Sequence, residues 1–448
     1  MKIASDASVQ IPENDAFAAL SYKNDTLCFE GIAIEKIAEE VGTPFYVYSQ
    51  LAIEATYGRC AAAFASIKAG IFYAMKANHN QSVLRIFARN GAGVDIVSIG
   101  EALRAIAAGI PAERIIFSGA GKTADELAQA VDLGLYQINV ESSNELELLN
   151  QIAISRGKKA PVAIRINPDV DAKTMSKTTT GKKGNKFGID IDVALPVYKR
   201  AYSLPGINLV GVAVHIGSQL TSVEPFRLAY AKTVDFLKML RSQGMSIPRL
   251  DLGGGLGIWY RDEQVEDFSA WADVVAEATQ GLGVEISIAP GRALIAHAGI
   301  LVSSVVHVKQ GSDRRFLVLD AGMNDLARPS LYGAYHHIIP VDKPASGAPY
   351  APVDIVGPVC ESTDAFALAR PMPELKDGDL VAFLSAGAYG ASMSSAYNSR
   401  PLVPEVLIDN DRYAVVRPRP TVQSMIDAEP QAYWLDEDAD ASRLAEAV

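Results

Sequence analysis

Four stretches of this chain close an apolar run with residues that could do chemistry. The first runs Ile71-Phe72-Tyr73-Ala74-Met75 and ends on Lys76-Ala77-Asn78. A lysine in that place is commonly a surface residue or the partner of a carboxylate. At the partly desolvated rim of a site, the same amine is what an imine-forming nucleophile requires. The second stretch ends His215-Ile216-Gly217-Ser218, where a lone histidine serves equally well as a hydrogen-bonded core residue. The third ends Asp251-Leu252-Gly253-Gly254-Gly255-Leu256-Gly257. Successive glycines let backbone N–H groups close on a phosphate, although a glycine run alone is also an ordinary flexible turn. The fourth ends Ala289-Pro290-Gly291-Arg292, adding a glycine and a guanidinium. A rim lysine, a histidine and a two-loop phosphate site together point to pyridoxal phosphate, which is anchored by its phosphate and held by a lysine Schiff base.

The elements that must position these residues follow from periodicity. Between about 70 and 290, eight short apolar runs alternate with helix-like segments: Ile71–Met75, Val94–Val97, Arg114–Phe117, Tyr136–Val140, Val162–Ile166, Leu209–Val214, Arg249–Leu252 and Val284–Ile288. Thr123 with Glu126, and Ser142 with Glu145, fit the capping box. Gly109, Gly134, Gly157 and Gly244 stand where a left-handed residue ends a helix. Eight strand–helix repeats predict an α/β fold, a (β/α)8 TIM-like barrel, although an open doubly wound sheet alternates similarly. In a barrel the loops after strands seven and eight are the usual phosphate site. Beyond 300 the texture changes. Ile300–Val308, Phe316–Asp320, Leu380–Leu384, Val403–Ile408 and Tyr413–Val416 read as strands of a mostly-β domain. The expected division is 1–40 as an N-terminal segment joining that domain, with Thr26–Phe29 as a strand. Residues 41–292 are then the barrel and 293–448 the C-terminal β domain. That domain carries three polar clusters, Arg328-Pro329-Ser330-Leu331-Tyr332, Cys360-Glu361-Ser362-Thr363-Asp364 and Gly387-Ala388-Tyr389-Gly390. Singly, each reads as loop.

Bulk properties narrow the function classes. A net charge of −11 over 448 residues argues against a nucleic-acid surface, which needs clustered Lys and Arg. Cys28, Cys60 and Cys360 are far apart, which suits a reducing compartment and neither a disulfide framework nor a zinc ribbon; no metal is expected. The first twenty residues contain Asp6, Glu13 and Asp15 and do not read as a signal peptide. The apolar window Ala293–Val308 holds His297 and His307 and falls short of a membrane span. A cytoplasmic protein without membrane or nucleic-acid partners is expected.

In this order the motifs resemble the fold-type III pyridoxal-phosphate decarboxylases, and within them the diaminopimelate decarboxylases. The resemblance runs from about Gly42 to about Pro418 and also takes in Asn185-Lys186-Phe187-Gly188 and the run from Gly387 to Arg400. It implies the alanine racemase/ornithine decarboxylase-like fold. It also implies that Lys76 carries the cofactor and that His215 stacks on its ring. Ser218, Gly254, Gly255 and Tyr389 would surround the phosphate, with Gly291 and Arg292 also against the cofactor. Arg292, Arg328, Tyr332 and Tyr389 would hold the substrate, Glu361 its distal ammonium, and Cys360 would donate a proton. The Cys-Glu pair is expected from the partner subunit, so a homodimer with shared active sites is implied. The reaction implied is decarboxylation of meso-2,6-diaminopimelate to L-lysine. The residues favour that substrate on physical grounds. Its second amino-acid group needs both a carboxylate fork and an anion, which Arg328 and Glu361 supply, whereas ornithine or lysine would need only the anion. The sequence departs from the family at Ala289, where a glutamate facing the pyridine nitrogen is expected, and at Met175, where a histidine is expected. A related decarboxylase of another amino acid, an alanine-racemase-like enzyme and a silent cofactor-binding homologue are the alternative readings.

Overall fold

The computed structural model describes residues 10–171 and 184–435. Met175 with its Lys173–Lys182 segment, and the acidic stretch from Asp436, lie outside the described residues. All eight expected strands form, at Gly70–Ala74, Gly93–Ile96, Ile115–Phe117, Gln137–Val140, Ala160–Asn167, Ile207–Val214, Arg249–Asp251 and Glu285–Ile288. They are parallel, and the ladder closes: Ser287 of the eighth pairs with Gly70 of the first, and Ile138 of the fourth with Val162 of the fifth. Closure removes the open-sheet alternative. The strands read as continuous apolar runs because a parallel sheet wrapped in helices is buried on both faces. Thr123 and Glu126 form the expected capping box. Ser142 does cap its helix, but Glu145 turns away to accept from Glu141 N (2.9 Å) and to pair with Lys122 (2.8 Å), so that box is not closed. The four cap glycines all have positive φ.

The second sheet is organised by the twelve-residue strand Gly299–Gln310. On one side it pairs with Arg315–Leu319, then Ala351–Val356 and Ala365–Met372; on the other with Phe45–Ser49, then Glu405–Asp409 and Arg412–Arg417. Leu380–Phe383 also pairs with it and carries Ile338–Pro340. Phe45–Ser49 therefore belongs to this sheet, although residues 41–292 were expected to build the barrel. Its five residues are all buried, as are those of a barrel strand, so only the pairing partner distinguishes them. Besides Phe45–Ser49, three strands of this sheet, Ile338–Pro340, Ala351–Val356 and Ala365–Met372, were not foreseen. Each contains a proline (Pro340, Pro352, Pro371), which weakens a strand reading.

The hairpin Leu20–Phe29 packs on this sheet. Leu27, Phe29, Ile34 and Ile37 share a core with Val47, Ile300, Ile339 and Val406, and Leu27 N donates to Val341 O (2.8 Å). A polar network ties the sheet to the barrel. Buried Glu405 accepts from Tyr48 OH and from Asn80 Nδ2 (2.9 Å), and Arg417 Nε lies 3.0 Å from it as an ion pair without hydrogen-bond alignment. Asn78 Nδ2 donates to Gly387 O (3.1 Å) and Tyr389 N to Ala77 O (2.8 Å). The loop that bears Lys76 is thus fastened from both sides. Among the described residues, no helix is long and apolar enough to cross a membrane.

Candidate active site

Lys76 follows the first barrel strand in a single 3-10 turn, Met75–Ala77, whose two end residues are buried and whose lysine is not. The sequence led us to expect partial desolvation, yet the side chain is exposed within a cleft. The cleft is bounded by Asp95, Ser118, Asn139, Arg165, His215, Ser218, Asp251, Ala289, Gly291, Arg292 and Tyr389, and Lys76 is its only lysine among the described residues. Strand ends supply almost all of these groups, because in a closed barrel the C-terminal ends of all strands converge on one mouth.

A chain of hydrogen bonds fixes the floor. Ser118 Oγ donates to Asp95 Oδ1 (2.6 Å), and Asn139 Nδ2 donates to Ser118 Oγ (3.0 Å) and to Asp251 Oδ2 (2.8 Å). Gly253 N donates to the other Asp251 oxygen (2.9 Å). Burial, and then the neighbouring Asp95, push the Asp251 carboxyl up to about 6. Burial also raises Asp95, against the pull of Lys76. His215 accepts from Gly254 N at Nδ1 (3.3 Å), which leaves the proton of the neutral ring on Nε2. Burial, with Lys76 and Arg165 nearby, holds its pKa well below the usual value, so the ring stays neutral.

The glycine run is a cradle that side chains would fill. A Cβ on Gly254 would meet Ala289 O at 2.0 Å, and one on Gly255, where φ is +124°, would meet Gly217 O at 2.3 Å. Beside it lie two guanidiniums. Arg292 donates to Tyr260 OH (2.8 Å) and Ser218 Oγ (3.2 Å), stacks 4.8 Å from the Tyr389 ring centre, and leaves a buried Nε without a partner. Arg328 is buried, donates to His336 Nε2 (2.8 Å) and lies 4.7 Å from the Tyr260 ring centre. These partners are all neutral. A backbone cradle, an orphaned guanidinium nitrogen and one exposed lysine fit a phosphate-bearing aldehyde such as pyridoxal phosphate.

The structure thus gathers Lys76, His215, Ser218, Gly255, Gly291, Arg292 and Tyr389 on one cleft, with Gly254 in the cradle beneath. Arg328 and Tyr332 occupy a one-turn helix, and Tyr332 is close enough to Arg292 to bear on its charge. Cys360 and Glu361 do not line this cleft. Both are exposed; Cys360 N donates to Asn398 Oδ1 (2.9 Å), and Glu361 accepts from Ser362 N (2.8 Å). Sequence reasoning missed Asp95, Tyr260 and His336. Asp95 had a usable signal, a carboxylate inside a barrel strand. Tyr260 and His336 lie outside any periodic pattern and are found only by their contacts.

Residues 50–296 match the family described as pyridoxal-dependent decarboxylase, pyridoxal binding domain. The chain is similar to the diaminopimelate decarboxylase of Zymomonas mobilis, with 46% identity over 93% of this chain and 99% of the relative. It is also similar to that of Pseudomonas aeruginosa, at 45% over 90% and 97%. Among solved structures it resembles the diaminopimelate decarboxylase of Helicobacter pylori complexed with L-lysine, with 41% identity, a TM-score of 0.84 and 88% and 98% of the two chains covered.

Proposed function

The chain belongs to the pyridoxal-dependent decarboxylases, among the diaminopimelate decarboxylases, and from that premise we propose that it converts meso-2,6-diaminopimelate to L-lysine and carbon dioxide. One observation carries the substrate: Arg328 is buried with neutral partners only, near the half-buried Arg292 that would face the cofactor. A buried guanidinium without an anion is costly. A substrate carboxylate arriving at the non-reacting end offsets that cost and can be gripped bidentately. A diamine precursor with one carboxylate has nothing to place there.

Lys76, His215, Ser218, Gly254, Gly255, Gly291, Arg292 and Tyr389 would hold the cofactor, which when bound supplies the electron sink for loss of carbon dioxide. Each protein group has a task its chemistry allows. Lys76 provides the amine that reaches the cleft. His215, kept neutral, presents a flat ring without adding a charge. The glycine cradle offers backbone N–H groups. Arg328 and Tyr332, with Arg292, orient the remote carboxylate, so that binding energy far from the reacting carbon fixes its geometry. Cys360 and Glu361 are exposed in this chain, and we propose that they enter the site of a second copy in a homodimer, Glu361 taking the distal ammonium and Cys360 supplying a proton. Free cysteines and small-molecule chemistry support a cytoplasmic location.

The test is L-lysine formation from meso-diaminopimelate by the cofactor-loaded protein, beside Arg328→Met. The expected result is turnover by the wild type and a KM raised about ten- to a hundredfold in the variant, since a charged hydrogen bond contributes about 1.5–3 kcal/mol. Release of carbon dioxide from a monocarboxylate diamine precursor in preference would overturn the substrate.

A further inference from the structure

His336 is among the most buried polar side chains of the molecule, and none of the roles above uses it. It follows the one-turn helix that bears Arg328, beyond the left-handed Gly333 that ends that helix. Its two ring nitrogens are both engaged. Nδ1 lies 2.8 Å from the carbonyl of Leu384 and Nε2 lies 2.8 Å from Arg328 NH1. A carbonyl can only accept and a guanidinium can only donate. The contacts therefore admit one state of the ring: neutral, with its hydrogen on Nδ1 and its lone pair on Nε2. An imidazolium would turn an N–H against the Arg328 N–H and break the clasp. Burial, and then the charge of Arg328, push the His336 pKa down to about 3, which keeps the ring in that state at ordinary pH.

The ring is also held from behind. Its edge meets Tyr260 at 5.7 Å between ring centres, and Arg370 donates to its backbone carbonyl (3.2 Å). Leu384 directly follows the strand Leu380–Phe383, which pairs with the long central strand of the second sheet. The imidazole thus relays the position of a rigid sheet to one guanidinium nitrogen. The choice of a neutral acceptor has a consequence. A carboxylate at 336 would pair with Arg328 and neutralise it, leaving little to attract a ligand anion. A neutral lone pair fixes the direction of the fork and leaves its full charge available.

We infer that His336 is a positioning residue that aims Arg328 at the remote carboxylate of the substrate, and so sets the preference for ligands that carry one. This rests on the reading of Arg328 as the carboxylate holder. The experiment compares two ligands that differ only in that group, L-lysine and pentane-1,5-diamine. Each is titrated into cofactor-loaded protein and followed by the visible absorbance of the cofactor, without turnover. In His336→Asn the amide nitrogen can replace Nδ1 toward Leu384, but nothing reaches Arg328. In His336→Gln the amide oxygen can stand in the place of Nε2 and accept from Arg328. The expected result for His336→Asn is L-lysine binding weakened about tenfold or more, with diamine binding changed by less than about twofold. His336→Gln should return L-lysine binding to within about threefold of wild type. Equal weakening of both ligands in His336→Asn, an unchanged affinity for L-lysine, or a glutamine variant as weak as the asparagine one would each overturn the inference. Failure of the underlying reading looks different: wild-type protein would then bind the two ligands alike, and Arg328→Met would leave both affinities unmoved.

Discussion

Asp251 sits at the floor of the cleft with a carboxyl raised to about 6 from an ordinary 3.8, chiefly by burial. The native state therefore holds this proton more tightly than the unfolded chain does. Its contribution to stability is fully present below about 3.8 and is lost as pH rises through about 6. Asp251→Asn removes that loss. The cofactor-free variant should gain on wild type by about 3 kcal/mol in all, roughly half of it between pH 5 and 8, in urea unfolding at several pH values. A difference that stays flat with pH would show that Asp251 titrates normally. A second residue-scale expectation concerns Ala289, which ends the eighth strand and lines the cleft where the family resemblance calls for glutamate. A glutamate there adds a charged hydrogen bond of about 1.5–3 kcal/mol. Ala289→Glu should then raise kcat for carbon dioxide release about ten- to a hundredfold. An unchanged rate would mean that another group already serves the cofactor ring.

At the scale of elements, the molecule depends on how the loop after the first barrel strand is fastened to the second sheet. Glu405 is the fastening point, taking bonds from Tyr48 and Asn80 and the charge of Arg417. Removing one partner of a fully buried ion pair typically costs about 3–5 kcal/mol, and the partial exposure of Arg417 puts this pair at the low end. Glu405→Ala should lose about 3 kcal/mol in denaturant unfolding, and Glu405→Gln, which keeps an acceptor for Asn80 and Tyr48, should lose less. Equal stability of wild type and Glu405→Ala would show that the network is incidental. The elements themselves were unevenly legible. The eight barrel strands were readable because double-sided burial makes each a continuous apolar run. Ala351–Val356 and Ala365–Met372 were not, because both contain proline and half-exposed positions.

The whole molecule raises the question of assembly. Cys360 and Glu361 lie outside the cleft of their own chain, and the shared site proposed above would bring them from a second copy. Complementation tests this directly. Lys76→Ala and Glu361→Ala proteins should each be inactive. Mixed and allowed to exchange subunits, half of the dimers are hybrids, and one site in each hybrid is intact. Activity should then return to about a quarter of wild type. No recovery, with exchange verified by mass, would place both residues in a site belonging to a single chain.

Types and spacing pointed to pyridoxal phosphate, and the family resemblance added the decarboxylation. Apolar runs ending in Lys76, His215, the glycine run and Arg292 favoured a convergent barrel mouth, and closure of the ladder decided it over an open sheet. The sequence also singled out Arg328 and Tyr332, through a motif rather than a pattern. What it could not determine was pairing across long separations. Phe45–Ser49 reads like any buried strand, and only its neighbours Gly299–Gln310 and Glu405–Asp409 assign it to the second sheet. Likewise His336 is one of two adjacent histidines in the sequence. Its tautomer and its hold on Arg328 exist only because the carbonyl of Leu384 and that guanidinium meet its two nitrogens from opposite sides. Local pattern encodes what a residue can do; the partner that makes it do so is supplied by the chain returning from elsewhere.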